Sequence, residues 1–357
     1  MIYDPFLCTM VLKGVMKMEK IKINLSLSLC TILEQDMALF EFYKKEGSLN
    51  RNDFYNQLIV HYHQTYQEKQ SQLLNQISDI LDTQTTCTNA QKTDAAFSIL
   101  QKIQLASSIH GNEKMEKTIN LKPTRYSETL IEMIQENCNG QSLSAYFRNM
   151  FAEYASLPRN QRERIIFQPL IEKINLALER KCKIALKTKT ENTKKHDVSP
   201  YKVAHSSEEL FNYLLCGDGE KCIPYRLTRI KEIMILNEPA SISEDQKQVF
   251  AKMIEHGPQF SYSGKVEPIV VRLTEQGKKM YKGMYIHRPN PYKVEEDLYY
   301  FDCSSAQIIH YFKRFGTSAV IVSPNHIIEK MTEFHEFAGR KYRKQLNKNR
   351  LAKTIDD

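Results

Sequence analysis

Residues 21–27, IKINLSL, set Ile21, Ile23, Leu25 and Leu27 against Lys22, Asn24 and Ser26. That period of two predicts a strand with one buried and one wet face. From Ser28 the spacing changes: Leu29, Ile32, Leu33, Phe40 and Tyr43 recur three and four apart, as on one face of a helix. Gly47 is placed to end that helix and Asn50 to cap a second one, whose stripe is Phe54, Tyr55, Leu58, Ile59 and Tyr62. The same order returns at 115–157. Ile119 and Leu121 alternate with Thr118, Asn120 and Lys122, and a helix follows with Tyr126, Leu130, Met133 and Ile134. Asn139-Gly140 breaks it, and Ser142 opens a helix striped by Tyr146, Phe147, Met150, Phe151 and Tyr154. Counted from Asn50 and from Ser142, the two stripes fall at the same offsets, which marks an internal repeat.

One strand has nothing to pair with, so the unit cannot stand alone. Two copies form an antiparallel ribbon closed beneath by four helices, within one chain or between chains. The outward residues Lys22, Asn24, Ser26, Thr118, Asn120 and Lys122 are then candidates to enter a major groove, which accepts two strands. The second helix of each copy, starting at Asn50-Arg51 or Ser142, offers free amides to a phosphate, with Arg51 adding charge. This arrangement resembles the ribbon-helix-helix family of DNA-binding proteins. KINLSLS and GSLNRNDF carry the likeness in the first copy; the second is looser, with Pro123 at the end of its strand. The alternative is a strand–helix–helix unit that only dimerises, its polar face merely solvated.

The rest of the chain divides by composition. Residues 1–17 carry a short apolar run with no basic start and no cleavage site, read as a disordered leader or an artefact of start-codon choice, with Met16 and Met18 as the alternative starts. The repeat region occupies 18–157, with TQTTCTNAQKT a polar linker and 93–109 an amphipathic helix between its copies. Residues 158–197 read as basic helix, the approach to a strand, and linker. Between 159 and 195 eleven basic residues face four acidic ones, suiting either a polyanionic partner or a solvated helix face. TKTENTKKHD (188–197) is read as a domain boundary. Beyond it come short strands and the hairpin turn CGDGEKC, where Gly217-Asp218-Gly219 supplies positive backbone angles.

Residues 198–265 resemble the WYL domain, a small Sm-like barrel of bacterial regulators, on Pro200, Tyr213-Leu214 and YRLTRIKEI. One departure is plain: the family's tryptophan position holds Asn212, and the chain has no tryptophan. Residues 266–346 resemble the α/β extension that follows such barrels, leaving a tail at 347–357. The resemblance implies a ligand- or nucleic-acid-binding cluster of Tyr213, Arg226 and Arg229. Guanidinium groups bind phosphate and a tyrosine ring stacks on a base. Equally, Tyr213 is barrel core and Arg229 pairs with a carboxylate. The fold class expected is therefore α+β: ribbon-helix-helix, then barrel, then extension.

A net charge of +8 is moderate. Eight scattered cysteines without a Cys-x-x-Cys pair exclude a zinc ribbon and suit a reducing, cytoplasmic setting. No apolar run reaches membrane-spanning length. Dispersed histidines and the absence of catalytic or phosphate-cradling motifs give no support to an enzyme, a metal or a cofactor. The order of parts resembles the WYL accessory proteins that accompany the RNA-targeting effector of type VI-D CRISPR systems. That resemblance implies a non-enzymatic homodimer that binds single-stranded RNA and stimulates the effector ribonuclease. The alternatives are a ligand-responsive repressor whose ribbon reads operator DNA, and a dimerising scaffold that binds no nucleic acid.

Overall fold

The structure is a computed structural model and describes residues 19–86, 88–107, 117–137, 141–191, 194–262 and 267–353. The leader, Asn139-Gly140 and the end of the tail lie outside those residues. The chain forms two compact units that meet in sequence at Gln168 and Pro169.

The first unit contains β1 (Ile21–Leu25), α1 (Leu27–Leu39), α2 (Arg51–Gln84), α3 (Asn89–Ser107), β2 (Lys117–Leu121), α4 (Glu128–Glu136), α5 (Leu143–Ser156) and α6 (Arg159–Ile166). β1 and β2 form an antiparallel ribbon, Ile21 opposite Leu121 and Leu25 opposite Lys117. Pairing therefore occurs within one chain. Both strands bury alternate residues in the same pattern, Ile23, Leu25, Ile119 and Leu121 facing the helices. Below lie the two aromatic stripes. Tyr55 stacks on Phe151 with ring centroids 5.7 Å apart, and Tyr62 meets Tyr154 edge-on at 6.1 Å. Such pairs contribute about 0.5–1.5 kcal/mol beyond area burial.

Several local expectations change. α1 stops at Leu39, because the chain reverses through Glu41 at φ 62° to carry Phe42 inward against Phe54. Tyr43 is consequently exposed, and Gly47 (φ 86°) serves a turn rather than the helix end. Asn50 precedes α2 without a side-chain capping bond, whereas Ser142 accepts from the Ala145 amide at 3.2 Å. α4 buries Ile131 and Ile134 and leaves Tyr126 and Met133 outside. α2 runs for 34 residues, about 51 Å at 1.5 Å per residue. Its second half forms a hairpin with α3, which begins at Asn89 and so shortens the expected linker. α6 closes the unit: Arg162 grips the buried Asp36 carboxylate through Nε at 2.6 Å and Nη2 at 2.9 Å.

The second unit begins with α7 (Gln168–Glu179) and β3 (Cys182–Thr188), then β4 (His196–His205), β5 (Asn212–Asp218), β6 (Lys221–Arg226) and β7 (Ile230–Pro239). These strands make an antiparallel sheet in the order β6-β5-β4-β3-β7. Two corrections follow. β3 and β4 are paired neighbours, so the described residues 189–191 and 194–195 belong to a hairpin link inside the second unit, not to a domain boundary. The sheet also remains open: among the described residues no ladder joins β6 to β7, so the expected barrel closure is not found. Gly219 has the positive φ the hairpin needs, but Gly217 lies in the strand. A Cβ there would meet Ile242 Cδ1 at 2.9 Å, so close packing explains that glycine.

After α8 (Glu244–His256) come β8 (Ile269–Leu273), α9 (Glu275–Gly283), β9 (Lys293–Glu295), β10 (Leu298–Phe301), α10 (Ser305–Phe312), β11 (Ala319–Ser323) and α11 (Asn325–Lys353). The four strands form a second antiparallel sheet, β11-β8-β10-β9, over a core with Phe301, Tyr311, Phe312 and Ile321. α11 continues to Lys353, so much of the expected tail is helical. The described cysteines, Cys30, Cys182, Cys216, Cys222 and Cys303, are free thiols. No described helix is long and apolar enough to cross a membrane.

Candidate nucleic-acid interfaces

The ribbon presents Lys22 and Asn24 on β1, Thr118 and Asn120 on β2, and Lys122 just beyond, all exposed. Ser26 does not join them. It is 2% exposed and caps α1, its hydroxyl accepting from the Leu29 amide. Alternation carried the pattern one residue past the strand, where a serine satisfies a helix terminus instead.

Two reciprocal clamps fix the ribbon to the helices. From α2, Asn52 Oδ1 accepts from the Lys122 amide at 2.8 Å and Asn56 Nδ2 donates to the Lys122 carbonyl at 3.1 Å. From α5, Ser144 Oγ accepts from the Asn24 amide at 3.4 Å and Arg148 Nε donates to the Asn24 carbonyl at 3.0 Å. In each case residues two and six beyond Asn50 or Ser142 hold one backbone unit of the other copy's strand. Edge amides and carbonyls that water would otherwise serve are thus tied down. Sequence patterning missed these four residues because their partners lie 66 or more positions away. Arg51 stands at the start of α2, exposed, 3.1 Å from Glu34, which also meets Lys117 at 2.8 Å. The Lys117 hydrogen bond holds the Glu34 carboxyl below its usual range. An exposed pair of this kind is worth at most about 1 kcal/mol, so Arg51 can exchange it for a phosphate.

In the second unit, β5 and β6 pair Tyr213 with Arg226, and Arg229 follows in a 3₁₀ turn over 227–229. All three line one cleft of about 820 Å³. The structure therefore brings together the three residues the sequence nominated. Their roles differ, however. Tyr213 is 7% exposed and its hydroxyl donates to Glu209, so it has no open ring face on which a base could stack. The Arg226 guanidinium carbon lies 3.3 Å from the centroid of the Phe211 ring, a stacking that orients the planar fork. Arg229 is exposed.

The cleft also gathers residues from distant segments: Lys194 and His196 from the hairpin link and β4, Gln259 and Phe260 after α8, and His310 from α10. His310 sits against Phe260 and His287, with ring centroids 5.9 and 5.1 Å away. Burial, then the charges of Lys313, His287 and Arg314, push its pKa down, which keeps it neutral near pH 7. Glu191, Glu209 and Asp218 contribute the opposing charge. Cationic groups on a partly apolar wall suit a sugar–phosphate chain with unpaired bases. Among the described residues no group of three or more His, Cys, Asp or Glu is placed to hold a metal.

No protein-family description matches the chain, and no curated protein sequence does. Among solved structures, a crystal structure described as a CRISPR Cas-related protein shares its fold. The TM-score is 0.61 at 20% identity, over 92% of this chain and 95% of that one. Proteasome accessory factor B/C of Arthrobacter aurescens aligns over 93% of this chain and 52% of its own, with 11% identity and a TM-score of 0.23.

Proposed function

We propose that the protein is a non-enzymatic regulator that binds single-stranded RNA in the cleft of its second unit. In this reading it acts as an accessory modulator of an RNA-targeting CRISPR effector ribonuclease, working as a homodimer. The observation that carries it is the convergence of Tyr213, Arg226 and Arg229 with Lys194 on one cleft. The fold shared with a CRISPR Cas-related protein along nearly the whole chain supports the setting. Arg226, held flat on Phe211, supplies the bidentate phosphate contact; Arg229 and Lys194 add charge. Tyr213 shapes the wall through Glu209.

The test is an effector cleavage assay on single-stranded RNA with and without this protein. Faster cleavage with wild type, and none of that gain with Arg226→Ala, is expected. Equal stimulation by both proteins would remove the cleft from the mechanism, and no stimulation by wild type would remove the accessory role.

A further inference from the structure

One end of the second sheet encloses a cavity of its own. β10 and β11 flank β8 and both run antiparallel to it, so they finish at the same end of the sheet. α10 starts just after the first and α11 just after the second. Beside those two helix starts lies a cavity of about 190 Å³. That is less than the roughly 300–1,000 Å³ of a drug-sized pocket. The cavity is separate from the cleft, although Ala306 borders both. Its floor is apolar, with Ile269, Ile309 and Cys303, whose thiol burial pushes up to about 12. No thiolate chemistry is therefore available there.

Tyr262 also lines the cavity. It is 7% exposed, and among the described residues its hydroxyl has no hydrogen-bond partner. Burial raises its pKa, so it remains a donor. Its backbone is pinned, since Tyr262 and Cys222 each donate an amide to the other's carbonyl at 3.1 Å. A buried hydroxyl left unpaired is costly and uncommon, and a ligand group would satisfy it. The rim supplies further donors. Ser304 Oγ accepts from the Gln307 amide at 3.0 Å, which leaves the Ser305 and Ala306 amides without an intrahelical partner. Asn325 and His326 begin α11 in the same way. Ser305 Oγ and His326 Nε2 lie 3.4 Å apart, so the two positive helix ends are side by side. Lys330, four residues beyond His326 and exposed, adds a full charge. Glu267 is the one acidic residue among the described lining residues, and it is exposed.

We propose that this cavity binds a ribose phosphate monoester, carried either by a free nucleotide or by the phosphorylated end of an RNA strand. Helix N-termini beside a lysine favour phosphate, whose oxygens accept from several donors at once. Two helix ends and Lys330 suit the nearly doubly charged monoester better than the single charge of a diester within a chain. The phosphate lies at the starts of α10 and α11, a ribose hydroxyl donates to Glu267, and Tyr262 donates to the group that reaches the floor. The site is distinct from the cleft and does not rest on the reading of that cleft.

The experiment is calorimetric titration of the full chain with adenosine 5′-monophosphate and with adenosine, beside binding of one single-stranded RNA carrying a 5′-phosphate, a 3′-phosphate or neither. The phosphate should strengthen binding by about tenfold or more in at least one of the two series. A gain with the mononucleotide alone identifies a free nucleotide as the source, and a gain with the RNA identifies a strand end. Tyr262→Phe and Lys330→Ala should each remove most of the gain, and Arg226→Ala should leave it. Tyr262→Phe deletes an oxygen with no protein partner and Lys330 is exposed, so both variants retain the fold. No gain in either series, or a gain that both variants leave intact, would overturn the proposal. Binding of the unphosphorylated RNA, and its dependence on Arg226, reports on the cleft alone, so either reading can fail without the other.

Discussion

Replacing Arg162 with methionine isolates Asp36. That carboxylate is fully buried and holds three side-chain donors: Arg162 Nε at 2.6 Å, Arg162 Nη2 at 2.9 Å and the Tyr154 hydroxyl at 3.0 Å. Methionine removes two of the three together with the neutralising charge. It also frees the Leu157 carbonyl, to which Arg162 Nη1 donates at 2.6 Å. Breaking a buried pair on one side costs about 3–5 kcal/mol, far more than the net worth of the pair, because the remaining charge stays buried. At about 1.4 kcal/mol per tenfold, the opening equilibrium of the first unit should rise by roughly two to three and a half powers of ten. Hydrogen exchange of the full chain resolves this. Peptides from α1 and α5 should exchange faster, while those from β3–β5 serve as internal controls. The double variant Asp36→Leu with Arg162→Met should recover most of the protection, since an apolar pair leaves no buried charge. Protection in α1 and α5 that stays within tenfold of wild type after Arg162→Met would refute this reasoning.

Three further outcomes are expected. Ser142→Ala should lower the stability of the first unit by about 1 kcal/mol while Asn50→Ala changes little, since only Ser142 makes a side-chain cap bond; thermal melts compare them. His63 and His310 both sit below the ordinary histidine value of 6.5, chiefly through burial. As pH falls through 6.5 the unfolded chain takes up protons first, so stability should drop until the folded groups themselves protonate; urea titrations at pH 7.5 and 5.5 measure it. On α11, Phe334, Phe337, Tyr342 and Leu346 are exposed, with Glu329, Glu333 and Glu336 in its first half and Arg340, Lys341, Arg343 and Lys344 in its second. Antiparallel pairing with a second copy would match those charges, so Phe337→Glu with Tyr342→Glu should convert a dimer to a monomer in light scattering.

The ribbon and its helices were legible because each rests on a local period: two for Ile21–Leu25 and Lys117–Leu121, three and four for the stripes ending at Tyr62 and Tyr154. Ser26 misled because a serine one residue beyond a strand continues the alternation and also begins a helix, and only the Leu29 amide decides between them. Tyr213, Arg226 and Arg229 were nominated by the resemblance to the WYL barrel, and the strand pairing of the structure sets Tyr213 opposite Arg226. Lys194 and His310 were not, because no local period reports that a loop residue before β4, or a helix 97 positions from Tyr213, shares their wall. Asn56 and Arg148 escaped for the same reason: their side chains answer backbone groups on the other copy's strand.

The central claim concerns the cleft, and binding tests it most directly. Labelled single-stranded RNA and duplex DNA of equal length and arbitrary sequence would be titrated with wild type and Arg226→Ala at two salt concentrations. Tighter, sequence-tolerant RNA binding that weakens with salt, and falls by about tenfold or more in Arg226→Ala, is the expected result. RNA binding untouched by Arg226→Ala, or absent from the wild type, would contradict it.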